Sequence, residues 1–271
     1  MADTSLFSMA DTRVIALANQ KGGVGKTTTA INLGTALAAV GRRVLLLDLD
    51  PQGNASTGLG VSPRARRVSS YDLLTEGATV ADAAVATAVP NLHLIPGAAD
   101  LSGVDHELHN VPGRALRLRD TLRGPGARLE ADYVLIDCPP ALNLLTVNAM
   151  AAADSVMVPL QCEFFALEGL SQLLDTIERV KASLNPGLTL QGIVLTMFDK
   201  RNNLSGQVAE DVRETLGALV YETVIPRNVR LSEAPSHALP GLIYDHACAG
   251  SQAYLRLAGE LLRREADRIA A

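Results

Sequence analysis

The feature that most constrains the fold of this chain is a glycine-rich run, Lys21-Gly22-Gly23-Val24-Gly25-Lys26-Thr27-Thr28. An apolar run of strand formers precedes it at residues 14–18, and a helical pattern of about four turns follows it as far as Gly41. Glycines allow positive φ and let backbone N–H groups turn inward, and the helix N-terminus adds a partial positive charge. The run therefore predicts a nucleotide phosphate site, with Lys26 on the β/γ-phosphates and the Thr27 hydroxyl as a Mg²⁺ ligand.

This run departs from the usual phosphate-loop pattern. The pattern G-x-x-x-x-G-K-[ST] requires glycine at position 20, where the chain has Gln20, and a second lysine, Lys21, stands at the loop entrance. Two lysines on one tight loop repel each other unless a polyphosphate lies near them. A solvated loop lysine is the alternative interpretation of Lys21.

Acidic residues end two further apolar runs. Residues 44–50 carry Asp48 and Asp50, and residues 133–137 end in Asp137. The carboxyl ends of parallel strands lie along one rim of an open sheet, so these acids are expected to converge on the glycine-rich loop. Taken alone, each acid is equally consistent with a strand-end or turn residue. Together with the loop they favour contacts to magnesium or to an attacking water, Asp137 in the Walker B position.

Alternation of apolar runs and helical patterns predicts the fold class α/β, a doubly wound, mostly parallel sheet flanked by helices. The apolar runs lie at about 12–18, 43–49, 91–95, 132–137, 155–160, 188–197 and 219–225. No glycine/serine linker or charge block divides the 271 residues, so we expect a single domain over residues 12–271, preceded by a disordered extension at residues 1–11. Residues 61–90 carry the weakest pattern and are expected to hold short helices. The arginines there, Arg64, Arg66 and Arg67, are interpreted as a solvated face.

Net charge and cysteine usage limit the function classes. A formal charge of −5 argues against a generally basic nucleic-acid-binding domain, although a local patch is compatible with it. Lys200-Arg201, Arg227 and Arg230 follow predicted strands and are the candidates for such a patch; solvated loop residues are the alternative. The three cysteines have no C-x-x-C spacing and are interpreted as reduced, buried thiols. No apolar stretch approaches the roughly 18 residues of a membrane span.

Several motifs resemble those of one family. K-G-G-x-G-K-T-T is similar to the deviant phosphate loop of the ParA/MinD superfamily of dimerising ATPases. The segment Asp48–Gly60, the run Asp137-Cys138-Pro139-Pro140 and the block Ile225–His237 resemble chromosomal ParA proteins of the Soj type. MinD proteins share the loop but not D-P-Q-G-N or I-P-R-N-V-R-L-S-E-A. The resemblance runs from about Arg13 to the final helix.

This resemblance implies an ATPase with ATP and Mg²⁺ as its ligands. It implies catalytic roles for Lys21 on the partner's nucleotide, for Lys26, and for Asp50, which would orient the attacking water. Thr27 would bind the metal directly, and Asp50 and Asp137 through water. The implied nucleotide-binding residues are Lys21, Gly22, Gly23, Val24, Gly25, Lys26, Thr27, Thr28, Asp137, Pro226 and Asn228.

The resemblance also implies partners. They are a second copy of the chain in the presence of ATP, non-specific double-stranded DNA contacted by Arg201 and Arg230, and a ParB-like centromere-binding protein that stimulates weak hydrolysis. The expected location is cytoplasmic and nucleoid-associated, without membrane contact. A MinD-like membrane-associated positioning ATPase is the alternative, and an iron–sulfur reductase or an amide-forming ligase is a more distant one. The final helix is expected to pack on the domain through Tyr254, Leu257, Ala258 and Leu261.

Overall fold

The computed structural model describes residues 12–125, 127, 129–163 and 166–270. Within these residues, seven strands form one sheet. They are β1 Arg13–Leu17, β2 Val44–Asp48, β3 Val85–Ala86, β4 Leu92–Ile95, β5 Tyr133–Asp137, β6 Ser155–Gln161 and β7 Thr189–Thr196. The α-helices are α1 Lys26–Ala39, α2 Asn54–Gly58, α3 Ser70–Thr75, α4 Val80–Ala83, α5 Val104–Glu107, α6 Arg117–Arg123, α7 Leu144–Ala152, α8 Ala166–Ser183, α9 Asn203–Leu216, α10 Val229–Glu233, α11 Gly241–Tyr244 and α12 Ala249–Ala270.

The strand order is β3-β4-β2-β5-β1-β6-β7. Neighbouring strands are parallel except for β3 against β4, which are antiparallel at the sheet edge. Every residue of β2 and β5 is buried, as expected when helices cover both faces of a parallel sheet. The predicted doubly wound, mostly parallel α/β fold is confirmed.

Apolar side chains form one core on each face of the sheet. One contains Val14, Ile136 and Leu173, and the other contains Leu33 and Leu46. Helix α12 closes the second core. Its residues Tyr254, Leu257, Ala258 and Leu261, predicted to face the domain, are at most 1% exposed. The last helix therefore packs on the domain, against α1, as its spacing predicts.

The predicted strand at 219–225 is wrong in detail. Backbone pairing there is confined to isolated bridges, Ile193 with Val220 and Phe198 with Pro226. Between them the backbone N–H groups of Glu222 and Thr223 donate to the Glu260 carboxylate of α12, at 2.8 and 2.9 Å, instead of to a strand. A carboxylate from a distant helix thus interrupts the sheet ladder between Tyr221 and Ile225, whose N–H groups still donate to β7, and no local pattern could reveal this contact.

Residues 61–90 form short helices, as predicted. Helix α3 begins with a capping box in which Ser69 and Asp72 satisfy each other's backbone groups. The interpretation of all three neighbouring arginines as a solvated face is wrong for Arg66, whose guanidinium donates to several backbone oxygens. Of the cysteines, Cys138 and Cys162 are buried as predicted, whereas Cys248 is only half-buried.

The predicted extension at residues 1–11 lies outside the described residues, and the single domain over 12–271 stays a prediction. Among the described residues, none of the helices combines the length and the apolar character needed to cross a bilayer.

Candidate functional site

The glycine-rich loop joins the end of β1 to the start of α1. Gly23 and Gly25 take positive φ values of 75° and 88°, so side chains would strain the backbone at both positions. Within the described part of the chain, the backbone N–H groups of residues 23–28 have no hydrogen-bond acceptor, and the first helical bond is from Thr29 to Gly25. A concave row of unpaired N–H groups at the start of a long helix is suited to bind an anion.

The two lysines of the loop lie in different surroundings. Lys26 is 6% exposed, and its ammonium donates to the Lys21 carbonyl at 3.0 Å. Burial lowers the pKa of Lys26, while the negative charges of Asp137 and Asp50 act in the opposite direction. The Lys21 side chain is 44% exposed and forms an ion pair with Glu163. The predicted repulsion is therefore relieved by turning Lys21 away from Lys26.

The three acids converge beside this loop. Asp48 and Asp137 are neighbours in the register of β2 and β5, and both are fully buried. Asp50 is 8% exposed, and its carboxylate accepts the Gln52 N–H at 3.0 Å. The predicted rim of carboxylates is present, although the acids have different environments.

Both carboxylate oxygens of Asp137 are buried without a hydrogen-bond partner in the described residues. Burial, followed by the Asp48 charge, raises the pKa of Asp137 well above its usual range. The Thr27 side chain is close enough to lower that pKa, but no hydrogen bond of ordinary geometry joins the two. A buried carboxylate without a partner next to a hydroxyl supplies the hard oxygen ligands that Mg²⁺ prefers. These residues therefore fit a magnesium ion.

Asp48 is engaged within the protein. Its carboxylate accepts the Ser56 hydroxyl at 2.6 Å, the Ser56 N–H at 2.9 Å and the Asp50 N–H at 3.2 Å. Burial raises the pKa of Asp48, and the hydrogen bonds from Ser56 oppose that shift. Asp48 thus holds α2 against the end of β2. The sequence placed it beside Asp50 but did not distinguish their environments.

A small cavity of about 100 Å³ lies beside the loop. Its walls include Gly25 and Thr28 on one side and Pro226 and Asn228, the residues predicted to contact the base, on the other. The Asn228 side-chain oxygen accepts the Leu231 N–H at 3.3 Å and caps α10. The amide nitrogen of Asn228, which donates to no other group in the described residues, is therefore the group that remains as a donor to a ligand.

The two predicted DNA-contacting arginines differ in their surroundings. Arg201 is 89% exposed, and its guanidinium forms two hydrogen bonds with Asp199. This guanidinium lowers the pKa of Asp199 to about 2. Arg230 is 54% exposed and is held between Glu233 and Asp245. The loop that carries Arg201 lies beside the segment that leads into α10, the helix of Arg230, since the Arg227 N–H donates to the Phe198 carbonyl at 3.0 Å.

Arg201 lines a large groove of about 1360 Å³ between these loops and α12. Its five cationic residues are Lys200, Arg201, Arg227, Arg256 and Arg263, against three acidic ones, Asp199, Glu222 and Glu260. Glu260 is buried and engaged with backbone N–H groups, so the exposed lining is basic. Arg230 does not line this groove. Sequence reasoning missed Arg256 and Arg263 as groove residues, although their seven-residue spacing places them on one helix face.

Comparison with known proteins agrees with this geometry. The family described as AAA domain matches residues 12–190. The chromosome partitioning protein ParA of Caulobacter vibrioides (strain NA1000 / CB15N) is 66% identical over 256 residues, covering 94% of this chain and 96% of that protein. The sporulation initiation inhibitor protein Soj of Bacillus subtilis (strain 168) is 51% identical, covering 92% and 98%.

The chain belongs to the ParA/Soj family. It is a member of the ParA/MinD superfamily of P-loop ATPases, and the predicted ATPase class is thereby confirmed. A solved structure of cobyrinic acid a,c-diamide synthase from Mycobacterium smegmatis, with a bound ATP analogue and magnesium, is 40% identical. It superposes with a TM-score of 0.80 and covers 93% of this chain and 95% of that one. This ParA/Soj-family chain thus shares its fold with a protein crystallised with the predicted ligand class, nucleotide and Mg²⁺.

Proposed function

We propose that this protein is a DNA-partitioning ATPase for a chromosome or plasmid. Mg-ATP drives formation of a dimer around two nucleotides, the dimer binds double-stranded DNA without sequence preference, and hydrolysis releases it. A ParB-like centromere-binding protein stimulates this weak hydrolysis, and the protein is nucleoid-associated while ATP is bound. The observation that carries the proposal is the row of unpaired N–H groups at the start of α1, flanked by a buried and an exposed lysine.

The nucleotide phosphates bind the glycine-rich loop. Residues 22–28 donate backbone N–H groups, and Lys26 supplies a buried positive charge. Burial lowers the pKa of Lys26, and the negative charge of a polyphosphate beside it would act in the opposite direction and favour the ammonium form. Pro226 and Asn228 bind the adenine in the small cavity beside the loop.

Thr27 and Asp137 are the residues that would hold Mg²⁺, Thr27 directly and Asp137 through water, with Asp50 as a further contact through water. The ion, when bound, neutralises charge on the phosphates. Asp50 orients the attacking water, and its place at the end of the β2 loop next to Lys26 supports this role. Catalysis is therefore mainly a matter of positioning and of electrostatic stabilisation.

Lys21 acts on the nucleotide of the second copy. Its side chain is exposed, and its ion pair with Glu163 is a surface pair that contributes at most about 1 kcal/mol. Lys21 can therefore leave Glu163 at a small cost in free energy when the triphosphate bound to the second copy approaches. Lys26, buried and bonded within its own loop, has no such freedom.

The proposed DNA surface is the basic groove with Arg201, together with Arg230 on the neighbouring helix α10. Contacts of exposed arginines to phosphates carry no sequence information, which suits non-specific binding. Dimerisation doubles the number of contacts, so DNA affinity depends on ATP.

Three alternatives are less well supported. The name of the synthase structure favours a ligase. However, this chain is 40% identical in sequence to that synthase and 66% identical to the ParA relative. A membrane-bound MinD-like role needs a free amphipathic C-terminal helix, whereas the apolar face of α12 is buried. An iron–sulfur reductase bridges a cluster between subunits with pairs of cysteines, whereas in this sequence only Cys138, directly after Asp137, suggests such a ligand.

Sedimentation velocity with and without ATP, Mg²⁺ and a DNA duplex tests the proposal. We expect a monomer without nucleotide, a dimer with Mg-ATP and a DNA-bound dimer when all are present. Lys26→Ala is the control and should remain monomeric throughout. A chain that stays monomeric with saturating ATP, or binds DNA equally well without ATP, would refute the proposal.

A further inference from the structure

The Arg66 side chain lies against residues 48–60, here called the switch segment. This segment begins at the last residue of β2 and contains α2. The Arg66 Nη2 donates to the Gly53 carbonyl at 3.1 Å and to the Thr57 hydroxyl at 2.8 Å. Its Nη1 donates to the Gly97 carbonyl at 3.0 Å, and Nε and Nη2 share the Val61 carbonyl at 3.2 and 3.1 Å. One guanidinium thus joins both ends of α2 to the loop after β4.

These contacts converge on Asp50. The Gly53 N–H donates to the Asp50 carbonyl at 2.8 Å, so the carbonyl that Arg66 binds belongs to the same turn as Asp50. Gly97, the other anchor, is packed so closely that a Cβ there would lie 2.9 Å from the Asp50 carbonyl oxygen. The Gly97 N–H donates to Ser56, which in turn donates to Asp48. The backbone of Asp50 is therefore enclosed between two segments that Arg66 connects.

The local sequence is adapted to this guanidinium. Gly53 has φ 61°, and a Cβ at that position would lie 2.0 Å from Nη1 of Arg66. Neighbouring Arg64 and Arg67 are exposed and make no side-chain hydrogen bond to the described part of the chain. The planar fork of arginine can hold several carbonyls at fixed angles, which a lysine ammonium cannot do.

We propose that Arg66 is a positioning residue for ATP hydrolysis. It holds the switch segment in the conformation in which Asp50 faces the attacking water. This inference rests on the role proposed above for Asp50. In this role Arg66 acts through the backbone of the switch segment and not on the nucleotide. Its removal loosens the turn that carries Asp50 and leaves the phosphate loop unchanged.

Steady-state hydrolysis by Arg66→Gln, with Arg67→Gln as the matched control, tests this. A misplacement of about 1 Å lowers rates by up to about 100-fold, so we expect kcat of Arg66→Gln to fall by about 10 to 100-fold. KM for ATP should stay at the wild-type value, since the phosphate loop is intact. Arg66→Lys should remain near Arg66→Gln, because it restores the charge but not the fork. Arg67→Gln should match the wild type.

Amide hydrogen exchange without nucleotide provides a readout that needs no turnover. Exchange over residues 52–60 should accelerate in Arg66→Gln and not in Arg67→Gln, while exchange over α1 stays unchanged. Unaltered exchange in the switch segment, or wild-type kcat in either Arg66 variant, would overturn the inference. A parallel rise in KM with global loss of protection would also overturn it, because Arg66 would then serve folding alone.

The variant Asp50→Ala separates this inference from the proposed function. Normal turnover in Asp50→Ala would refute the role of Asp50 itself. Lost turnover in Asp50→Ala with normal turnover in Arg66→Gln would refute only the positioning role of Arg66.

Discussion

Arg201 gives the sharpest test of the proposed DNA surface. Its side chain is 89% exposed, and its ion pair with Asp199 is a solvent-screened surface pair, so a DNA phosphate can take the place of the Asp199 carboxylate. Each phosphate contact contributes a slope of about −0.9 to log K against log salt. Arg201→Gln should therefore make the slope shallower by about 1.8 for a dimer that loses one contact per protomer.

This slope converts to a measurable affinity change. When salt rises from about 50 to about 200 mM, DNA affinity should fall about 12-fold less in the variant dimer, which has lost two phosphate contacts, than in the wild type. Fluorescence anisotropy on a labelled duplex with Mg-ATP, at several salt concentrations, measures both the slope and the affinity. Arg230→Gln tests the second predicted contact in the same way.

Arg119→Gln is the matched control. Arg119, whose side chain is 39% exposed, also pairs with a neighbouring carboxylate, that of Asp120, but it lies on α6 outside the groove. Its substitution should leave the slope unchanged. A wild-type slope in Arg201→Gln, with ATP-dependent dimerisation intact, would refute the placement of DNA in this groove.

Three further outcomes follow from the site. Lys21→Ala should bind ATP with near wild-type affinity in calorimetry, because Lys26 and the backbone N–H groups remain, yet should stay monomeric in sedimentation; an ATP-dependent dimer would contradict the role of Lys21. Asp50→Ala should form a dimer that stays on DNA in a dissociation assay, because the groups that bind ATP and DNA remain while hydrolysis is lost. Release at the wild-type rate would remove Asp50 from the mechanism. Burial raises the pKa of Cys162 to about 11, so at about pH 8 this thiol should react slowly with a disulfide reagent, while half-buried Cys248 reacts first. Cys248→Ala should abolish the fast phase of labelling, and a remaining fast phase would contradict this assignment.

The sequence predicted most of the fold because its signals are local. The apolar runs that form β2 and β5 are continuous, as buried parallel strands require, and Asp137 ends one of them. The glycine-rich run needs positive φ at Gly23 and Gly25, which few other residues tolerate. Short sequence patterns of this kind also placed Lys26 and the three acids at the carboxyl-terminal edge of the sheet.

What the sequence did not reveal depends on contacts between distant segments. Glu260, on α12, accepts the backbone N–H groups of Glu222 and Thr223, where a regular strand would donate to its neighbour. Arg66 is one of three arginines that look alike in sequence, and only the packing of the switch segment against Gly97 distinguishes it from Arg64 and Arg67.

Sequence alone therefore determined the α/β fold and the phosphate loop of this ParA/Soj-family ATPase, since strand burial and glycine φ angles are properties of short segments. Tertiary structure decided which charged side chains are free to act. Asp48 is occupied by Ser56, whereas Asp137 is buried without a partner among the described residues. Arg201 is exposed in a basic groove, whereas Arg66 is held by carbonyls. The physical reason is that the availability of a charge depends on its burial and on its hydrogen-bond partners, which the folded chain brings from distant positions.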